Sequence, residues 1–129
     1  MIPERIGDDW CGLSRRWKIS PDLAMRLTRM AARAPFPIQI ISGYRSPEHQ
    51  RQLRYQGRPA ADPDVSNHTT CPSRAADVWP GIAVTRVVQA QLGEAGVVAG
   101  LRWGGGSPVD PQTGIPSDWN HFDLGPRSR

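Results

Sequence analysis

Apolar residues recur along the chain in short runs separated by polar, glycine-rich or proline-rich stretches. Leu23, Leu27, Met30, Ala31 and Ala34 follow helical spacing. Ser20-Pro21-Asp22 stands before them and reads as an N-cap, a first-turn proline and a first-turn acid. The pattern predicts a helix with one apolar face, ending near Pro35. Pro37 to Ile41 is short, apolar and β-branched, and reads as a buried strand. Ser46-Pro47-Glu48 repeats the capping signal, so a second helix is expected from Pro47 to about Gln56, with Gly57 as its stop. Residues 58–74 read as a long loop. Ala75 to Trp79 reads as a strand. Val84, Val87, Val88, Leu92 and Ala95 place a third helix over 83–95. Further strands are expected at Gly100 to Trp103 and at His121 to Leu124, with a second long loop from Gly104 to Ser117 between them. The order implies an α+β fold, with about three helices packed on a small sheet.

A length of 129 residues suits one domain, expected to span 1–129. The 13 glycines and 13 prolines are scattered, which gives a loop-rich domain without a linker. No apolar run approaches the roughly 20 residues that a membrane helix needs, so no membrane insertion is expected. The N-terminus MIPERIGDDW lacks the apolar core of a secretory signal. A net charge of +4 suits a polyanionic partner such as a cell wall. The excess is spread out, with Lys18 as the sole lysine, and no aromatic residues interleave with it. Nucleic-acid binding is therefore not expected. Cys11 and Cys71 form no CxxC pair, which argues against a thiolate zinc site. They read as two separate thiols, with a disulfide between them as the alternative.

Histidine is scarce: His49, His68 and His121. His68 precedes Asp77, and His121 lies in Asp118-Trp119-Asn120-His121-Phe122-Asp123-Leu124. Two histidines and a carboxylate can hold a catalytic zinc and leave a position for water. A further carboxylate is then needed as general base, and Asp118 stands close to His121 in sequence. Strand alternation would turn Phe122 and Leu124 to the core and His121 away from it. If the two strands are neighbours, Asp77 and His121 meet on one face, with His68 reaching in from the preceding loop. Spacing alone leaves a second reading open: a solvated loop histidine, a strand-edge acid and a hydrogen-bonded sheet histidine.

Three ordered segments go further. They are Ser42-Gly43-Tyr44-Arg45-Ser46-Pro47-Glu48-His49-Gln50, then Ser66-Asn67-His68 with Ala75-Ala76-Asp77, then Trp103-Gly104-Gly105 followed by Asp118 to Leu124. Together they resemble the S-G-Y-R-S, S-x-H…A-x-D and W-G-G…D-x-x-H-F-E-L segments of zinc D-alanyl-D-alanine carboxypeptidases and L-alanyl-D-glutamate endopeptidases. Small bacteriophage endolysins belong to that family. The resemblance runs from about Leu13 to Leu124. It implies a hedgehog-like zinc D,D-peptidase fold with a small antiparallel sheet, and Zn2+ held by His68, Asp77 and His121. It makes Asp118 the catalytic base and Arg45 the residue that stabilises an oxyanion or a substrate carboxylate. Ser66 would bind substrate or orient the His68 loop, and Gln50 would brace Arg45. The implied substrate is a peptidoglycan stem peptide, cut by a monomeric enzyme made in the cytoplasm and released to the wall by phage lysis or from a virion. The form of the last segment favours the endopeptidase over the carboxypeptidase. A catalytically silent wall-binding or phage structural module is a third alternative. The chain departs from the family in two respects: Asp77 lies nine residues after His68 instead of seven, with Cys71-Pro72 inside the longer loop, and the loop between Gly106 and Ser117 is longer than in the shortest relatives.

Overall fold

The computed structural model describes residues 2–56, 67–104, 109, 111–112 and 114–125. It is an α+β fold of five strands and four α-helices among these residues: β1 (Glu4–Arg5), α1 (Trp10–Trp17), α2 (Pro21–Arg33), β2 (Ile38–Ser42), α3 (Pro47–Tyr55), β3 (Ala75–Pro80), α4 (Arg86–Val98), β4 (Arg102–Trp103) and β5 (His121–Asp123). The strands form one sheet in the order β1-β2-β3-β5-β4, and every neighbouring pair is antiparallel.

Local chemistry sets the helix ends. The Ser20 hydroxyl accepts from the Leu23 N–H, and Pro21 opens α2. Leu23, Leu27 and Met30 are fully buried along its inner face. α4 starts later than its apolar spacing predicts. Thr85 is the cap, accepting from the Val88 N–H at 3.1 Å. Val84 therefore precedes the helix, and both Val84 and Val87 are exposed. Val88, Leu92 and Ala95 form the buried face instead.

One face of the sheet is apolar. Ile38 and Ile40 of β2, Ala76 and Val78 of β3, and Phe122 of β5 join α2 and α4 in a single core. Burying each large side chain contributes roughly 1.5–3 kcal/mol. Leu124 packs against the same core, as alternation predicts.

The helix count differs from the expected three because α1 and β1 precede the first predicted element. α1 has eight residues and buries only Gly12, Leu13 and Trp17, too short a pattern to stand out in sequence. Its N-cap is Asp9, whose carboxylate accepts from the Gly12 N–H at 3.0 Å. β1 is a two-residue edge strand. β4 is likewise shorter than expected, starting at Arg102.

Candidate metal centre

The site lies on the face of the sheet opposite α2 and α4. Asp77 of β3 and His121 of β5 are register partners, and directly opposed residues of an antiparallel pair project to the same side. On each strand the apolar neighbours turn the other way: Ala76 and Val78 beside Asp77, Phe122 beside His121. His68 comes from a single 3-10 turn, Asn67–Thr69, just ahead of β3. That turn is tied down at several points. Asn67 Nδ2 donates to the Gly125 carbonyl at 2.7 Å, and the Asn67 carbonyl accepts from the Arg74 N–H at 2.9 Å.

His68 Nδ1 lies 2.7 Å from the Gly43 carbonyl. A carbonyl only accepts, so Nδ1 carries a proton and Nε2 faces inward. Gly43 can hold this place because it has no side chain. A Cβ there would stand 2.5 Å from the Trp17 carbonyl oxygen and 2.9 Å from Ile19 Cγ2. His121 is held in the opposite sense. Its Nε2 donates to Asp123 Oδ2 at 2.7 Å, leaving Nδ1 toward the centre.

Three donor atoms then converge. His68 Nε2 is 3.3 Å from Asp77 Oδ1 and 3.3 Å from His121 Nδ1, and His121 Nδ1 is 3.2 Å from Asp77 Oδ1. Tetrahedral zinc with bonds of about 2.0–2.1 Å spaces its N and O ligands about 3.3–3.4 Å apart. The three atoms thus form one face of a tetrahedron of zinc dimensions, and the residues fit the metal that the sequence implies. Among the described residues this is the cluster of His, Cys, Asp and Glu suited to a metal ion.

The electrostatics agree. Burial pushes the Asp77 carboxyl up, but His68, His121 and Arg45 outweigh it and hold Asp77 well below the usual carboxylate range. Burial pulls His121 down, yet its bonds to Asp123 and Asp77 raise it to about 10. A metal held at Nδ1 would compete with a proton there.

Arg45, between β2 and α3, bonds through Nη2 to Asp77 Oδ2. Its Nε lies 3.3 Å from Ser42 Oγ, and its side chain is largely buried. Asp118 lies in the turn before β5, where its carbonyl accepts from the His121 N–H at 3.1 Å. Burial and the nearby Asp77 push the Asp118 carboxyl above the usual range, against the pull of His121, His68 and Arg45. All five groups therefore share one electrostatic neighbourhood. Gln50 falls within α3, but its side chain, like Ser66 as a whole, lies outside the described residues. Cys11 and Cys71 are free and exposed. No described helix is long and apolar enough to cross a membrane.

Sequence reasoning missed Asp123 and Arg102. Asp123 is fully buried, and Arg102 grips it through two parallel bonds of 2.8 and 2.9 Å. The signal was the spacing of two from His121, which puts both side chains on one face of β5.

No protein-family profile matches this chain. No curated protein sequence matches it either. Among solved structures, it is similar to the Serratia marcescens L-Ala D-Glu endopeptidase ChiX. The TM-score is 0.65 at 22% sequence identity, over 87% of this chain and 86% of that one. At that identity the likeness is one of fold, and it extends over nearly the whole of both chains.

Proposed function

We propose that this protein is a zinc-dependent peptidoglycan peptidase, and that it cuts the L-alanyl-D-glutamate bond of the stem peptide. The observation that carries this reading is the 3.2–3.3 Å triangle of His68 Nε2, Asp77 Oδ1 and His121 Nδ1. The choice of bond is supported by the shared fold with an L-Ala D-Glu endopeptidase and by the Asp118-to-Leu124 segment.

His68, Asp77 and His121 would hold the metal. Bound zinc supplies Lewis acidity, making a water nucleophilic near neutral pH and polarising the scissile carbonyl. The remaining chemistry belongs to the chain. Asp118 takes the proton of the attacking water and delivers it to the leaving amine. Arg45 holds Asp77 Oδ2, which turns Oδ1 toward the histidines. Its permanent charge also stabilises the negative charge that develops on the substrate oxygen. The net charge of +4 favours approach to an anionic wall.

Digestion of purified cell walls with identification of the new termini tests the reading. New N-terminal D-glutamate is the expected product. Free D-alanine would replace it with a carboxypeptidase, and intact walls in the presence of bound zinc would point to a silent wall-binding module.

A further inference from the structure

Strand β4 has only two residues, yet each reaches the segment that carries His121 and Asp118. Arg102 is the register partner of Asp123 and clamps its carboxylate, Nε to Oδ1 at 2.8 Å and Nη2 to Oδ2 at 2.9 Å. Asp123 also accepts from the Gly125 N–H at 2.7 Å and from His121 Nε2 at 2.7 Å. Its side chain is 1% exposed, so it meets the site only through the far nitrogen of His121. Four donors on two oxygens leave this carboxylate little freedom to rotate. Trp103, next along, packs its ring where a Cβ on Gly93 would stand, 2.4 Å from the nearest ring atom. Its indole N–H donates to the Trp119 carbonyl at 2.5 Å, one residue beyond Asp118.

Resting on the zinc reading above, we propose that β4 is a two-pronged brace that positions the site without touching substrate. Arg102 acts through Asp123 on His121. With Oδ2 fixed, the imidazole must present Nδ1 to Asp77 and His68, and its ring cannot turn about χ2 without losing a buried bond. Trp103 acts through the Trp119 carbonyl on the turn that carries Asp118. It sets where the base stands and leaves the metal ligands alone. The two prongs therefore predict different failures: loss of metal affinity for one, loss of turnover at full metal occupancy for the other.

The test is zinc affinity by chelator competition on the full chain, with wall-digestion kinetics beside it. Asp123→Asn should bind zinc roughly 10- to 100-fold more weakly. Trp103→Phe should bind zinc as the wild type does, while kcat falls on the order of tenfold or more at unchanged KM. Leu27→Ala, remote on α2, calibrates for lost stability and should keep wild-type zinc affinity well below its Tm. Unchanged zinc affinity in Asp123→Asn overturns the first prong, whether or not Tm falls. Wild-type kcat in Trp103→Phe, or a zinc affinity as weak as that of Asp123→Asn, overturns the second. Failure of the wild type to bind zinc overturns the metal site itself and the brace with it. The zinc arm needs no turnover, so a wrong choice of peptide bond leaves it standing.

Discussion

On the helix-covered face of the sheet, Ile38, Ile40, Ala76, Val78 and Phe122 meet Leu23, Leu27, Met30 and Leu92. On the other face, one residue along each strand, stand Asp77, His121 and Asp123. The first face is held by apolar area, which is additive and tolerant of exact geometry. The second is held by directional bonds among charged groups, where each partner fixes another: Gly43 holds His68, Asp123 holds His121, and Arg45 holds Asp77. The core gives these groups a rigid floor, and their mutual bonds spend part of that stability on geometry. A lesion on one face should therefore cost folding, and a lesion on the other should cost chemistry.

The largest separation is expected for Asp118→Ala. Wall turnover should fall roughly 100- to 10,000-fold, with Tm and zinc stoichiometry close to wild type. Retained turnover would remove Asp118 as the base. Next is Leu27→Ala on the buried face. It should lower unfolding free energy by about 2–5 kcal/mol in denaturant titration and leave zinc affinity and kcat unchanged below the transition. A parallel loss of zinc affinity would show that the two faces are not separable.

The smallest effect concerns the β1 edge of the sheet. Arg16 donates to both carboxylate oxygens of Glu4, at 2.7 and 2.6 Å, and these bonds, with one from the Trp17 indole, hold Glu4 below its usual pKa against the opposing effect of burial. A carboxyl whose pKa is lower in the folded state stabilises the fold above its unfolded pKa, about 4.3. That contribution is lost as pH falls through the lower folded value. Glu4→Gln should therefore lower Tm slightly at neutral pH, and the difference should close on acidification. A difference independent of pH would show that the pair holds β1 by packing alone.

The same contrast explains what could be seen in the sequence. α2 was legible because its cap, first-turn proline and apolar period all lie within one short segment. The ordered motifs singled out His68, Asp77 and His121, and the register of β3 and β5 puts Asp77 and His121 on one face, as alternation expects of neighbouring strands. α1 and β1 were not legible, because α1 buries only three residues and β1 is a two-residue strand with none buried, and its pairing partner lies far along the chain. The start of α4 was misjudged because apolar spacing ran through Val84, although Thr85 is the better cap. Asp123 escaped notice because an acid at a strand end ordinarily reads as solvated. Only the pairing of β4 with β5 brings Arg102 across to it and buries both its oxygens.

Everything assigned to the polar face depends on one metal ion among His68, Asp77 and His121. The most direct measurement is titration of chelator-stripped protein with zinc while release of peptide from purified walls is followed. Activity should rise linearly and break at one equivalent, and Asp77→Ala should stay inactive throughout. Full wall digestion by the stripped protein, or by Asp77→Ala, would contradict the account.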